Sequence, residues 1–524
     1  MASSSSSGDY ISSSSGTAQT ADEELRALLE DAAREFPAYV RQALAAEAPV
    51  GGGLSPASVS ATLPLTFPST GLGPSIWHDI HLVLRTATNT WSPRFLYKLY
   101  ASPTPIGVLS EALLGLLNNN AHVFASSPAG AVIERSVGRE LCRLAGMPAE
   151  TSAGLTFPGG SYSNMHALVA ARNTRFPECK REGLWGLAKR KVRPVVFTSA
   201  HAHYSVEKAA VAAGLGLDGV VVVPADHEGR MDARALRAMV QEHVAQGDAP
   251  FFVNATAGTT VLGAFDPLDA LAAVCADFNL WLHVDASWGG PLLLFGPSPH
   301  VPPGVHSLTI NPHKLLGVPL HCSFLLVRDG LGTMRRALGL GASYLYHNVE
   351  NDGEDTWDFG DATLACGRRP DAIKMWLVWR YHGTQYLRMR VQRARQLARD
   401  FAQMVRERGA QASRGVWRLV VEPQGTTVCF WHVPRDLAAD GEPEARWGEV
   451  ARLVCERVNA GGGALIDYAT VDRFTRAEDG YEARGLPCFI RIPFNNPEVT
   501  RDTQNAVLDA IERAARELAE LKLI

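Results

Sequence analysis

An α/β fold, with a mainly parallel sheet in a large domain and a smaller α+β domain toward the C-terminal end, is what the sequence predicts from three observations. Between about residues 193 and 328, short β-branched runs (VVFTS, GVVVV, FFVNAT, LWLHVD, HSLTI, CSFLLV) alternate with helical stretches (YSVEKAAVAAG, DARALRAMVQEHV, PLDALAAVCADF). After about Asp371 the pattern changes to long amphipathic helices, then separate strands WRLVVE, TVCFWHV and FIRIPF, then a closing helix from Thr500. No internal repeat recurs at a fixed period, which sets aside solenoids and propellers.

Residues 1–21 are a Ser/Gly/Thr-rich run that cannot bury enough apolar surface to offset its ordering entropy, so a disordered tail is expected. An N-terminal helical segment, 22–105, follows. In it Leu25, Leu28, Leu29, Ala32, Phe36, Val40 and Leu44 recur at helical spacing until Gly51 to Gly53 break the pattern. The large domain is placed at 106–385 and the small α+β domain at 386–524.

Composition narrows the function classes. The 50 basic and 54 acidic side chains leave a formal charge of −4, so no overall basic field recommends nucleic acid or an anionic membrane. Small molecules are the expected partners. The 8 cysteines show no C-x-x-C pair and no zinc-type clustering, which predicts no metal site and a reducing compartment. The N-terminus lacks the apolar core of a secretory signal, and Asp9, Asp22 and Glu23 precede its first arginine, Arg26, unlike a mitochondrial presequence. With no long uninterrupted apolar run either, a cytoplasmic protein with no membrane span is expected.

Four stretches carry chemistry, each at the end of an expected strand. Asn311-Pro312-His313-Lys314, followed by LLGVPLHCSFLLV, puts a lysine in a tight turn walled by apolar residues, where desolvation favours the neutral, nucleophilic amine. HVDASWGG ends an apolar strand on Asp285, whose carboxylate needs a cationic or hydrogen-bonding partner such as a protonated pyridine nitrogen. FPGGSYSNMHALVAAR joins a Gly-Gly-Ser turn to a helix expected from about Ser163; Gly160 allows close backbone approach and Ser161 adds a hydroxyl for a phosphate. HAHYSVEKAA places the flat ring of His203 at the head of a helix. Taken singly, each also fits a structural role: a surface lysine after a turn, a capping aspartate, a plain N-cap, a helix-capping histidine. Their occurrence together in one α/β region describes a pocket for pyridoxal 5′-phosphate (PLP).

With FPGGSYSNM, HAHYSVEKAA, NATAGTTVLGAFDPL, LWLHVDASWGG, NPHKLLGVPLHCS, ASYLY, CGRRPDAIKMWLVWR, VCFWHVP and FIRIPFNNP, the chain from about Ser92 onward resembles the group II PLP-dependent decarboxylases of fold type I (aspartate-aminotransferase-like). It is most similar to the glutamate and cysteine sulfinate decarboxylase branch. The resemblance implies that Lys314 carries PLP as a Schiff base, that Asp285 pairs with the pyridine nitrogen, and that His203 stacks on the ring. It implies phosphate and ring contacts from Gly160, Ser161, Thr260, Ser287, Asn311 and His313. Arg491 would bind a substrate carboxylate, and Lys98 and Phe124 would contact substrate. Tyr344 would return a proton to Cα, acting across a homodimer interface that holds the active site.

Those assignments imply decarboxylation of an L-amino acid to its amine and CO₂, with an acidic substrate (glutamate, aspartate or cysteine sulfinate) expected. Two departures from the family pattern bear on the substrate. Lys98, in SPRFLYKLY, stands where the family carries a substrate-contacting glutamine, and Ala125, Ser126 and Ser127 replace a Thr-Tyr-Glu run after Phe124. A non-acidic or specialised substrate, with decarboxylation coupled to carbon–carbon bond formation or oxidation, is the alternative. A lapsed enzyme kept as a binding protein is opposed by the intact set of Lys314, Asp285, His203 and Tyr344. A nucleotide-binding reading of GGSYSN lacks the required glycine-lysine pattern.

Overall fold

A computed structural model describes residues 20–51, 53–148, 150–297, 300–346, 357–411, 415–434, 444–475 and 483–524. Except for residues 20 and 21, the expected Ser-rich tail therefore lies outside the described residues, as does 347–356 of the acidic stretch after Tyr344. The first amphipathic pattern folds as the helix Ala21–Ala43. A two-residue strand, β1 (Phe95–Leu96), comes later in the chain.

The alternating segment forms a seven-stranded sheet from β2 (Ala153–Phe157), β3 (Arg193–Ser199), β4 (Val220–Val223), β5 (Asp248–Thr256), β6 (Trp281–Ala286), β7 (Ser307–Ile310) and β8 (Ser323–Val327). Their order is β2-β8-β7-β6-β5-β3-β4. The pairs from β4 to β7 are parallel, while β8 runs antiparallel to both its neighbours, β7 and β2. Both faces are covered, as runs without polar alternation demand. Along β5, Phe252 joins one apolar cluster and Val253 the other; along β8, Leu325 and Leu326 divide in the same way.

Crossover helices Ser205–Ala212, Ala233–Ala245 and Leu268–Asp277 fall where the sequence predicts them. Asp232 caps the second, accepting from the Arg234 and Ala235 backbone N–H groups at 2.8 and 3.1 Å. The helix expected from Ser163 starts a turn sooner, at Gly160. Gly159, at φ +120°, supplies the backbone turn that lets it begin there.

A long helix, Ala372–Gly409, kinks at Gly383, where φ is +77°. It leads into a second, antiparallel sheet in which β11 (Leu465–Thr475), β12 (Ala483–Pro493), β10 (Thr427–Val433) and β9 (Val416–Leu419) follow in that order. The closing helix is Arg501–Glu520, with Thr500 as its N-cap. By contacts the chain divides into two compact units, Met1–Phe95 with Arg457–Leu465, and Leu96–Glu456 with Ile466–Ile524. Among the described residues no helix is long and apolar enough to cross a membrane.

Candidate active site

Parallel strands release their chains at one edge of the sheet, so the residues that end β3, β5, β6 and β7 converge. There they wall a cavity of about 390 Å³ in the second unit, with Thr256, Asp285, Asn311 and Lys314 in its lining. A larger cavity of about 990 Å³ lies within the first unit, but no lysine lines it.

Lys314 sits on the single-turn helix Pro312–Leu315 directly after β7. Burial pushes its ammonium below the ordinary lysine range; the Asp285 charge opposes this and the Arg491 charge adds to it. Asp285 ends β6 and is buried. Burial alone would raise its pKa, but the Ser287 hydroxyl, the Lys314 charge, the Ser287 backbone N–H and the His203 charge together hold it below the usual aspartate value. The pair thus combines a lysine biased toward its free amine with an aspartate held as its anion.

Asp285 is supported by a chain of hydrogen bonds that the sequence reading missed. Asn164 Nδ2 donates to Asp285 Oδ2 at 2.8 Å and to Ser205 Oγ at 3.0 Å. Asn164 Oδ1 lies 3.1 Å from His283 Nε2, and His283 Nδ1 lies 2.8 Å from Ser307 Oγ, which accepts from Trp281 Nε1 at 2.8 Å. Every group is satisfied when His283 is neutral, donating through Nε2 and accepting at Nδ1. Burial agrees, lowering the His283 pKa to about 4. The signal was available: His283 is two residues before Asp285 and so shares its face of the strand, and Asn164 is one turn into the helix after Gly160.

The opposite wall is a close approach of backbone and small polar groups. A Cβ placed on Gly160 would lie 2.5 Å from Ser287 Oγ and 2.8 Å from Asn311 Nδ2, so only glycine leaves this cradle open. Asn311 Oδ1 is buried without a hydrogen-bond partner. Ser161 is exposed at the start of the helix Gly160–Arg175, and it also lines the cavity. His313 is buried against Cys322, with its Nδ1 2.7 Å from the Cys322 carbonyl oxygen and 3.0 Å from the Cys322 nitrogen; burial lowers its pKa to about 3. His203 accepts the Ser205 backbone N–H at Nδ1, 3.2 Å away, and burial lowers its pKa as well. Thr260 completes this set at the cavity lining.

These features fit PLP on three counts: a partly buried amine with its ammonium form disfavoured, a buried carboxylate, and a cradle that a Cβ would fill. Four sequence-predicted residues do not line the same cavity. Tyr344 is 83% exposed and Phe124 is 39% exposed. Lys98 lies outside the lining, its Nζ 3.0 Å from Asp467 Oδ2. Arg491 is buried just behind it, donating from Nη1 to the Thr260 carbonyl at 2.7 Å.

The chain matches the model of the pyridoxal-dependent decarboxylase conserved domain over residues 56–433. It is 41% identical over 399 residues to the L-aspartate decarboxylase dtxS4 of Metarhizium robertsii, covering 75% of this chain and 76% of that protein. Human cysteine sulfinic acid decarboxylase is 37% identical over 443 residues, covering 83% and 85%. The crystal structure of the mouse cysteine sulfinic acid enzyme superposes with a TM-score of 0.83 at 34% identity, covering 94% of this chain and 98% of that one.

Proposed function

The chain belongs to the pyridoxal-dependent decarboxylase family, and from that premise we propose that it removes the α-carboxylate of an acidic L-amino acid, giving the corresponding amine and CO₂. One observation carries the reading: Lys314, partly buried, and Asp285, buried, line one cavity together with the Gly160, Ser287 and Asn311 cradle. The acidic substrate class is supported by relatives that are named as acting on aspartate and cysteine sulfinate.

When bound, PLP supplies an electron sink for the pair left at Cα as CO₂ departs. In this reading the Lys314 amine, biased toward its nucleophilic neutral form, would hold the cofactor and would give way to the substrate amino group. The Asp285 carboxylate keeps a proton at the pyridine nitrogen, and Asn164 and His283 keep that carboxylate aimed. Gly160, Ser161, Ser287, Asn311 and His313 would hold the phosphate end, and His203 and Thr260 would hold the ring, all of them lining the one cavity. Tyr344, exposed on its own chain, serves the cavity of a second copy, where its hydroxyl delivers the proton to Cα; Phe124 likewise contacts substrate in a homodimer. Arg491 and Lys98 supply positive charge for the side-chain carboxylate. A cytoplasmic setting belongs to the same reading, supported by 8 free thiols.

The test is CO₂ release by the PLP-loaded protein across aspartate, cysteine sulfinate, glutamate and neutral L-amino acids, with Lys314→Ala as control. Release from an acidic substrate that vanishes in the control is the expected result. Release only from neutral or basic amino acids would overturn the substrate class, and release that persists in the control would overturn the role of Lys314.

A further inference from the structure

The guanidinium of Arg491 already has a carboxylate. Asp467 on β11 is the direct cross-strand partner of Arg491 on β12, so the two side chains share one face of the sheet. Asp467 Oδ2 accepts from Arg491 Nη2 and, at 3.0 Å, from Lys98 Nζ, while Asp467 Oδ1 accepts the Tyr468 backbone N–H at 3.1 Å. Arg491 gives its other contacts to the chain's own carbonyls, Nη1 to Thr260 at 2.7 Å and Nη2 to Tyr97 at 3.3 Å. Its Nε is buried with no partner among the described residues.

A free arginine offers a carboxylate two parallel charge-assisted bonds, which is what makes it selective for that group. Here three of the five N–H groups are spent on Asp467 and on backbone, and both of those on Nη2 are taken. Two cations and one anion leave a single formal positive charge where an unpaired Arg491 and Lys98 would present two. Resting on the decarboxylase reading above, we propose that Asp467 is a specificity-determining residue: by occupying Arg491 and Lys98 it weakens the site's selection for a side-chain carboxylate. The enzyme then accepts acidic substrates on one net charge and tolerates their neutral isosteres more than a site with a free arginine fork does. Asp467 acts through Arg491, as a positioning residue, and touches no reacting atom.

The experiment compares aspartate with asparagine, and glutamate with glutamine, as substrates of the wild-type holoenzyme, Asp467→Asn and Asp467→Glu. Asp467→Asn keeps the side-chain volume and removes the charge. Its acidic-to-neutral ratio of kcat/KM rises on the order of tenfold, carried more by KM than by kcat, while Asp467→Glu restores the wild-type ratio. A ratio that stays constant or falls in Asp467→Asn overturns the proposal, and so does an equal rise in Asp467→Glu. Succinate, a dicarboxylate that cannot be turned over, reads the same pocket by calorimetry: about tenfold tighter binding to Asp467→Asn supports the proposal and unchanged binding overturns it. If no acidic amino acid releases CO₂ but succinate binding tightens, the substrate class falls and the assignment of Asp467 stands.

Discussion

The two sides of this site are built on different principles. On the cofactor side, Lys314 is partly buried beside Asp285, and Asp285, Asn164 and His283, from strand ends and one adjoining helix, are buried and form a chain in which each donor meets an acceptor. On the recognition side, Lys98, Asp467 and Arg491 carry opposed charges, and Lys98 keeps 44% of its side chain exposed while standing 369 residues from its partner in sequence. A satisfied, dry network fixes one arrangement, because any vacancy costs the full desolvation of the group left behind. Lys98, partly exposed, costs less to alter, because water screens what is lost, whereas Arg491 and Asp467 are themselves buried. Substitution is therefore expensive throughout the cofactor-side chain, while the recognition side offers one position, Lys98, where it is cheap.

Substitutions can break or sharpen that contrast. The largest effect is expected from Lys314→Ala, which removes the amine and with it all CO₂ release; the visible absorbance of the loaded protein reports the loss of covalent attachment. Next is Asp285→Asn, where a neutral amide cannot hold a proton on the pyridine nitrogen, and kcat falls on the order of 10²–10³-fold. An Asp285→Asn enzyme with near wild-type kcat would remove the carboxylate from the mechanism.

Asn164→Ala leaves His283 Nε2 and one oxygen of Asp285 without partners in a closed interior. It should cost roughly 1–3 kcal/mol for each orphaned group, read as a lower midpoint in denaturant unfolding. Replacing Lys98 by alanine, in contrast, should move the midpoint by less than about 1 kcal/mol, as for other partly exposed ion pairs. Comparable losses in the two variants would erase the distinction between the sides.

The smallest effect is in the pH profile of stability. His283 has a folded pKa of about 4, below its unfolded value of about 6.5, so between those limits the unfolded chain binds the proton and the folded one does not. Stability should accordingly fall as pH drops from about 6.5 toward 4. His166 and His432, also lowered to about 4 by burial, contribute in the same direction. Thermal midpoints that stay level across this window would mean that these rings are not kept neutral by the fold.

Much of the cofactor side was legible in the sequence, because strands of a parallel sheet end at one edge and their last residues are brought together by topology alone. Lys314, Asp285, His203 and Gly160 could be named from NPHK, HVD, HAHY and PGG, and the structure puts all four on one cavity. Asn164 and His283 were written in the same motifs but passed over, since nothing local says that a polar side chain in a helix and one in a strand will meet. Strand β2 went unread because AGLTF is too short and too poor in β-branched residues to stand out, and β11 because Asp467 and Tyr468 interrupt its apolar run.

By itself, then, the sequence determined the alternation of strands and helices, the α/β class, and the identity of the lysine and aspartate at the strand ends, all properties carried within some ten residues by hydrophobic period and turn chemistry. Only the tertiary structure decided that Arg491 is met by Asp467 and that Lys98 shares that carboxylate. The register that sets Asp467 opposite Arg491 depends on how two strands pair, and Lys98 arrives from the far end of the chain. Charge pairing over such separations is fixed by packing, which no local pattern records.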